Sequence, residues 1–244
     1  MKRVSFILLV LVFLVGLGLC LYPYIQGRQA EKNSTVQVQI FLEQIDPEEM
    51  PESIPTEPGE KEPMQHSKLW EDAVRYNQML WDTKQVNLSD PTAYQKPSFL
   101  LTNYGINSEV FAVLSIPKLN LTMPIYLGAT EEHTANGAAH LSQTSLPIGG
   151  INTNCVIAGH RGFGTSSYFK YVPDLEPGDK VIITNLWEQL TYAVTGTAVI
   201  EPHEVDKILI TAGRDQITLL TCHPYASGGR YRYLVFCERV RDNK

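Results

Sequence analysis

The sequence predicts a mainly β domain, a barrel or a sandwich, carried behind an apolar N-terminal helix. Short apolar and β-branched runs recur from residue 110 to residue 240, each cut by Pro or Gly. Twelve tyrosines and fifteen prolines suit a strand- and loop-rich chain better than a helical bundle. An unbroken apolar run fills residues 4–21, directly behind the basic Met1-Lys2-Arg3.

That run is about 18 residues, near the minimum for a bilayer-spanning helix. Its basic start places the N-terminus in the cytoplasm and the rest of the chain outside. A cleaved signal peptide is the rival reading. No small-x-small site follows the run, and Tyr22-Pro23-Tyr24 resembles an interfacial anchor, so an uncleaved anchor over residues 1–25 is expected. Residues 26–66 read as an acidic, Pro-rich tether, with Glu and Pro concentrated in 47–63. Within it, 35–45 alternates enough to suggest a helix or a strand. Residues 67–104 carry an N-terminal helix and a loop. The helix covers 67–82: Leu69, Ala73, Tyr76 and Leu80 share one face, and Ser67 can cap it. Asp90-Pro91-Thr92 marks a turn.

Residues 105–244 form the β domain. Strands are expected at 110–116, 121–126, 154–158, 180–184, 189–195, 198–201, 217–221 and 230–240, with a short helix at 207–213. The last two strands frame a loop, His223-Pro224-Tyr225-Ala226-Ser227-Gly228-Gly229. Cys222 therefore sits where a strand runs out, held rigidly yet reachable. Arg230 and Arg232 are two apart and leave the same strand face. If the strands pair, a guanidinium lies beside the sulfur. A strand cysteine alone is more often an inert core residue. His160, flanked by Gly159 and Gly162 at the end of another apolar strand, adds a general acid or base to the set.

Composition removes other functions. The net charge is −6, which argues against a nucleic-acid partner. The six histidines and four cysteines show no metal-ligand spacing, so neither metal nor cofactor is expected. Cys20 lies in the apolar run, and Cys155 and Cys237 read as core residues in strands.

Thr218-Leu219-Leu220-Thr221-Cys222 resembles the cysteine signature of sortases, the cell-wall transpeptidases of Gram-positive bacteria. Ala158-Gly159-His160-Arg161-Gly162 resembles their histidine motif, and Arg232-Tyr233-Leu234-Val235 the strand that carries their arginine. Gly137-Ala138-Ala139-His140-Leu141 and Thr144-Ser145-Leu146-Pro147-Ile148-Gly149-Gly150 resemble the class C members, the pilin polymerases. The resemblance implies a closed sortase β-barrel with an N-terminal helix packed on it. It implies Cys222 as nucleophile, His160 as general acid and base, and Arg232 as the oxyanion partner. His140, Arg230 and Thr221 become supporting residues. Arg230 lies nearer the Gly228-Gly229 turn, where a guanidinium costs more entropy to order.

The resemblance further implies cleavage of a Leu-Pro-x-Thr-Gly-like sorting signal and transfer of the acyl group to a lysine amine of a pilin. Anchoring of surface proteins to peptidoglycan is the alternative. A non-enzymatic peptide-binding domain is a third reading, disfavoured by the complete Cys-His-Arg set. Class C members often carry a lid with Asp-Pro and an aromatic. Here Asp90-Pro91 is followed by Thr92, with Tyr94 two residues late, so this loop is expected to cover Cys222 weakly. The implied location is the cell membrane, with the catalytic domain extracellular.

Overall fold

The computed structural model describes residues 2–45, 66–88, 93–162 and 166–240. Eight strands close into a barrel in the order β1-β2-β3-β4-β7-β8-β6-β5, as the resemblance implied. They are β1 (Val110–Ile116), β2 (Leu121–Leu127), β3 (Ala138–His140), β4 (Thr153–Ala158), β5 (Lys180–Asn185), β6 (Gln189–Ile200), β7 (Asp215–His223) and β8 (Tyr231–Arg239). Two neighbouring pairs are parallel, β2 with β3 and β4 with β7. The barrel core is apolar, with Phe111, Leu114, Met123, Ile157, Ile183, Ile217, Leu219 and Val235 all buried.

Several elements differ from expectation. β6 is one strand, where two were expected, because a register shift between Val194 and Gly196 bends it without ending it. β3 has three residues, too few for an alternating pattern, and α3 (Glu131–Asn136) has six. The helix expected at 207–213 is a single 3-10 turn at Asp206–Ile208. Helix α2 (Ser67–Asp82) has the expected limits, but its cap is His66 in the left-handed region, without a side-chain bond, so Ser67 does not cap it. Asn77 ties α2 to the barrel: its Oδ1 accepts from the Leu146 amide at 2.8 Å. Trp70 meets Trp187 edge to face at 5.0 Å.

The largest difference lies in the segment read as the start of the tether. Helix α1 runs unbroken over Lys2–Glu43. Its first half, long and apolar enough to cross a membrane, is exposed. Its second half packs along the barrel through Ala30, Ser34, Val38 and Phe41, followed by Ile45. These positions recur at helical spacing. The stripe begins with Gly27, Ala30 and Ser34, too small to register as an apolar face in the sequence. Phe41 is fully buried, in a cluster with Val110, Val113 and Tyr126. Ser166 Oγ donates to the Gly27 carbonyl at 2.7 Å, and Asn33 donates to the Asn136 side chain at 3.3 Å. The Glu- and Pro-rich centre, residues 46–65, lies outside the described residues.

Phe41 supplies the docking of α1. Phe41→Ala is expected to weaken that docking by about 3–5 kcal/mol. Hydrogen exchange should then quicken over residues 27–43, while Val36→Ala, on the exposed face, leaves it unchanged. Equal protection in both variants would mean that α1 does not depend on the barrel.

Candidate active site

The backbone ladder gathers the predicted residues at one pole. β7 and β8 pair antiparallel, with Cys222 opposite Arg232. Gly229, in the connecting turn, lies against both side chains. A Cβ built on it would stand 3.2 Å from Cys222 Sγ and 3.1 Å from Arg232 Nη1. Its φ of +80° is also a conformation that side chains disfavour. Arg232 Nη1 donates to the Gly229 carbonyl at 2.7 Å and to the Tyr231 carbonyl at 3.2 Å. These bonds hold the guanidinium in place and leave its remaining N–H groups for a ligand. Arg230 lies outside the strand and is exposed, whereas Arg232 is half-buried.

His160 arrives by the parallel pairing of β4 with β7, in which Ala158 lies opposite Leu220. His160 and Cys222 each follow two residues after that pair. Three hydrogen bonds extend the alignment past the strand end. The Gly159 amide donates to the Leu220 carbonyl at 3.0 Å, and Thr221 Oγ1 donates to the Gly159 carbonyl at 2.8 Å. The Phe169 amide donates to the His160 carbonyl at 3.0 Å. Gly159 is required by crowding: a Cβ there would meet the Phe169 ring at 2.8 Å. Burial lowers the His160 pKa, partly opposed by the Glu131 carboxylate. The imidazole is therefore neutral near pH 7, the form that acts as a base.

Arg161 is the residue the sequence reading left without a role. Its Nη1 donates to the Cys222 carbonyl at 3.3 Å and to His223 Nδ1 at 2.6 Å. Its guanidinium stands 6.0 Å from the centre of the Tyr233 ring. Because a guanidinium only donates, His223 Nδ1 is the acceptor and its proton sits on Nε2. Arg161 thus fastens the β4 exit to the end of β7. The signal available in the sequence was its place directly after His160.

The other residues separate by burial. Cys155 and Cys237 are core residues, as expected; burial raises both thiol pKa values, that of Cys237 to about 12. Such thiols stay protonated and unreactive, while Cys222 is half-buried. His140 is fully buried, and its Nε2 donates to the Thr144 carbonyl at 3.0 Å. Burial lowers its pKa to about 4, so the imidazole is neutral near pH 7. Tyr94 turns its hydroxyl onto the Leu88 carbonyl and packs against the buried cluster that contains Leu88, Leu141, Val156 and Ala158. Asp90, Pro91 and Thr92 lie outside the described residues. Among the described residues no three His, Cys, Asp or Glu side chains converge as metal ligands. A thiol, a neutral imidazole and a fixed guanidinium at one rim are the parts needed for covalent acyl transfer.

Comparison with known proteins leads to one family. A family model described as the sortase domain matches residues 114–240, just over half of the chain. Sortase A of Bacillus anthracis is 26% identical over 235 residues, 96% of this chain and 93% of its own. The crystal structure of sortase C-1 from Streptococcus pneumoniae is 33% identical, with a TM-score of 0.61 over 70% of this chain and 90% of that one. A pilus-related sortase C of group B Streptococcus is 31% identical, with a TM-score of 0.59 over 73% and 94% of the two chains.

The His140 environment sets a pH dependence. Burial disfavours its charged form, so the folded chain binds fewer protons there than the unfolded chain. Its contribution to stability is complete above the ordinary value of 6.5 and is lost as pH falls towards about 4. Glu188, raised to about 7 by burial, titrates in the same window with opposite sign, so a variant comparison is needed. Urea unfolding at pH 7 and pH 5 should show His140→Asn losing less stability on acidification than the parent. An equal loss in both would remove His140 as the cause.

Proposed function

Because this chain belongs to the sortase family of cysteine transpeptidases, we propose that Cys222, His160 and Arg232 cut a Leu-Pro-x-Thr-Gly-like sorting signal after Thr. The acyl group then passes to a lysine amine of a pilin subunit. The observation that carries this reading is the Cys222–Arg232 register, with Gly229 opening the space between sulfur and guanidinium. His160, held neutral by burial, takes the thiol proton. The thiolate attacks the Thr carbonyl carbon, and the negative charge that gathers on oxygen faces the fixed guanidinium of Arg232. The imidazolium returns its proton to the leaving Gly nitrogen, the C–N bond breaks, and a thioester remains on Cys222. An acceptor amine then attacks the thioester and gives a proton to His160, the C–S bond breaks, and the Cys222 thiolate takes that proton back from the imidazolium. Thr221 and Arg161 act through position, by locking β7 to the β4 exit.

Pilin polymerisation is favoured by the likeness to a pilus-related sortase C and by the class C motifs around His140 and Leu146. A second reading, anchoring of surface proteins to peptidoglycan, is favoured by the sortase A of Bacillus anthracis, which matches nearly the whole chain. In both readings the apolar part of α1 holds the protein in the cell membrane, with its N-terminus cytoplasmic and the barrel outside.

Pilin subunits bearing the sorting signal should form a covalent ladder on a denaturing gel with the parent protein, and none with Cys222→Ala. Transfer only to a peptidoglycan-precursor amine would favour the second reading. A ladder from Cys222→Ala would remove Cys222 as the nucleophile. Arg232→Ala should lower turnover by about 100-fold or more, and Arg232→Lys should recover little, since an ammonium lacks the planar fork. Arg230→Ala should cost less than about tenfold, because its exposed side chain must be ordered first. A larger loss at Arg230 than at Arg232 would exchange their roles.

A further inference from the structure

We infer that the catalytic pole of the barrel rests on the bilayer that holds α1, with Tyr171, Tyr225, Tyr231, Lys170 and Arg230 turned to the lipid headgroups. This rests on α1 being an uncleaved membrane anchor.

The path of α1 carries the argument. The helix enters the barrel at the catalytic pole: Ser166 Oγ bonds the Gly27 carbonyl, and Ser166 follows closely on His160. It leaves at the opposite pole, where Leu42 packs in one cluster with Leu186, in the turn between β5 and β6. From Gly27 to Leu42 the helix climbs roughly 22 Å, alongside the barrel wall. The apolar half therefore projects beyond the catalytic pole. Gly27 is only five residues past Tyr22, roughly 8 Å along the axis. The membrane surface and the rim that carries Cys222 must lie close together.

The surface of that rim fits the place. Outside α1, the exposed Tyr, Phe and Trp residues are Tyr225 (55%), Tyr171 (45%) and Tyr231 (37%), among the described residues. All three stand at the catalytic pole: Tyr231 opens β8, Tyr225 lies in the turn before it, and Tyr171 follows His160. Lys170 Nζ lies 5.2 Å from the Tyr171 ring centre and 5.4 Å from that of Tyr225. A Cβ on Gly162 would touch the Tyr225 ring at 3.3 Å and stand 3.6 Å from the Ser166 carbonyl oxygen. The cluster is thus continuous with the point where α1 docks. On α1 itself, Arg28 bonds the Tyr24 hydroxyl at 2.6 Å and covers its ring. Tyrosines interleaved with Lys and Arg are the composition of a headgroup-level belt.

Pro23 gives the belt a purpose. It lies inside α1 between the apolar half and the docked half and has no N–H to bond back along the helix, which removes one rung of the ladder there. Anchoring alone would leave the barrel free to swing there, and the tyrosine and cation rim fixes its tilt. An acceptor or donor chain then reaches Cys222 along the membrane surface.

The test uses the full-length protein in phosphatidylcholine–phosphatidylglycerol vesicles with brominated acyl chains, and reads tryptophan quenching over the parent signal of Trp70, Trp81 and Trp187. Leu14→Trp reports insertion of α1, Tyr225→Trp reports the catalytic pole, and Ile151→Trp reports the opposite pole. The inference expects mid-chain bromine to quench Leu14→Trp. Bromine next to the headgroup should remove most of the emission added by Tyr225→Trp and shift it to the blue, and should leave Ile151→Trp unchanged. Quenching at Leu14→Trp without quenching at Tyr225→Trp overturns the seat and keeps the anchor. Equal quenching at Tyr225→Trp and Ile151→Trp overturns the orientation. An unquenched Leu14→Trp overturns the anchor and the seat together. None of these outcomes depends on transpeptidation, so a failure of the proposed reaction would be seen separately.

Discussion

Strand β7 is the constraint on which the site depends. It pairs parallel with β4 on one side and antiparallel with β8 on the other. Parallel pairing brings two C-terminal strand ends to the same pole, and so delivers His160 beside the end that carries Cys222. Antiparallel pairing brings the start of β8 to that pole, and with it Arg232. His160, some sixty residues from Cys222, and Arg232, across one turn from it, are aligned by backbone hydrogen bonds, which cost no flexible side chain its freedom. What remains local is space and fastening. Gly159 and Gly229 admit neighbours that a Cβ would push away, and Thr221 and Arg161 tie the β7 end to the β4 exit.

The far end of β7 is fastened by a different device. Asp215, its first residue, accepts from the Gly150 amide at 3.1 Å and from the Tyr192 hydroxyl at 3.1 Å. Nearby, Arg239 at the end of β8 lies 3.7 Å from Glu188 and 5.6 Å from the centre of the Tyr192 ring. Burial still pushes Glu188 up to about 7 despite that guanidinium, so desolvation outweighs the ion pair there. One pole of the same strand is thus closed by buried polar contacts. The other is left half-open around a thiol.

The sequence was legible where the period of an element was long and its residue types contrasted. β1 and α2 have the limits expected of them, and Cys155 and Cys237 lie in the core. The Cys222 to Arg232 juxtaposition followed from two strands and a glycine turn. Legibility failed where packing is done by small residues or by very few. The docked half of α1 begins on Gly27, Ala30 and Ser34, a face that carries no hydrophobic signal, and so read as tether. β3 owes its strand state to β2 and β4 on either side. Arg161 was visible within the histidine motif, yet its bond to His223 depends on a parallel pairing that local pattern does not reveal. His140 is fully buried, a setting that its motif did not reveal.

The central claim is that the strand-end thiol at Cys222 forms a thioester with the residue it cuts after. Intact-mass measurement of the protein with a peptide containing Leu-Pro-x-Thr-Gly tests it most directly, in the absence of an acceptor amine. The account predicts an adduct of the peptide through its Thr, mapped by digestion to Cys222 and discharged when a primary amine is added. No adduct, or an adduct on Cys155 or Cys237, would contradict it.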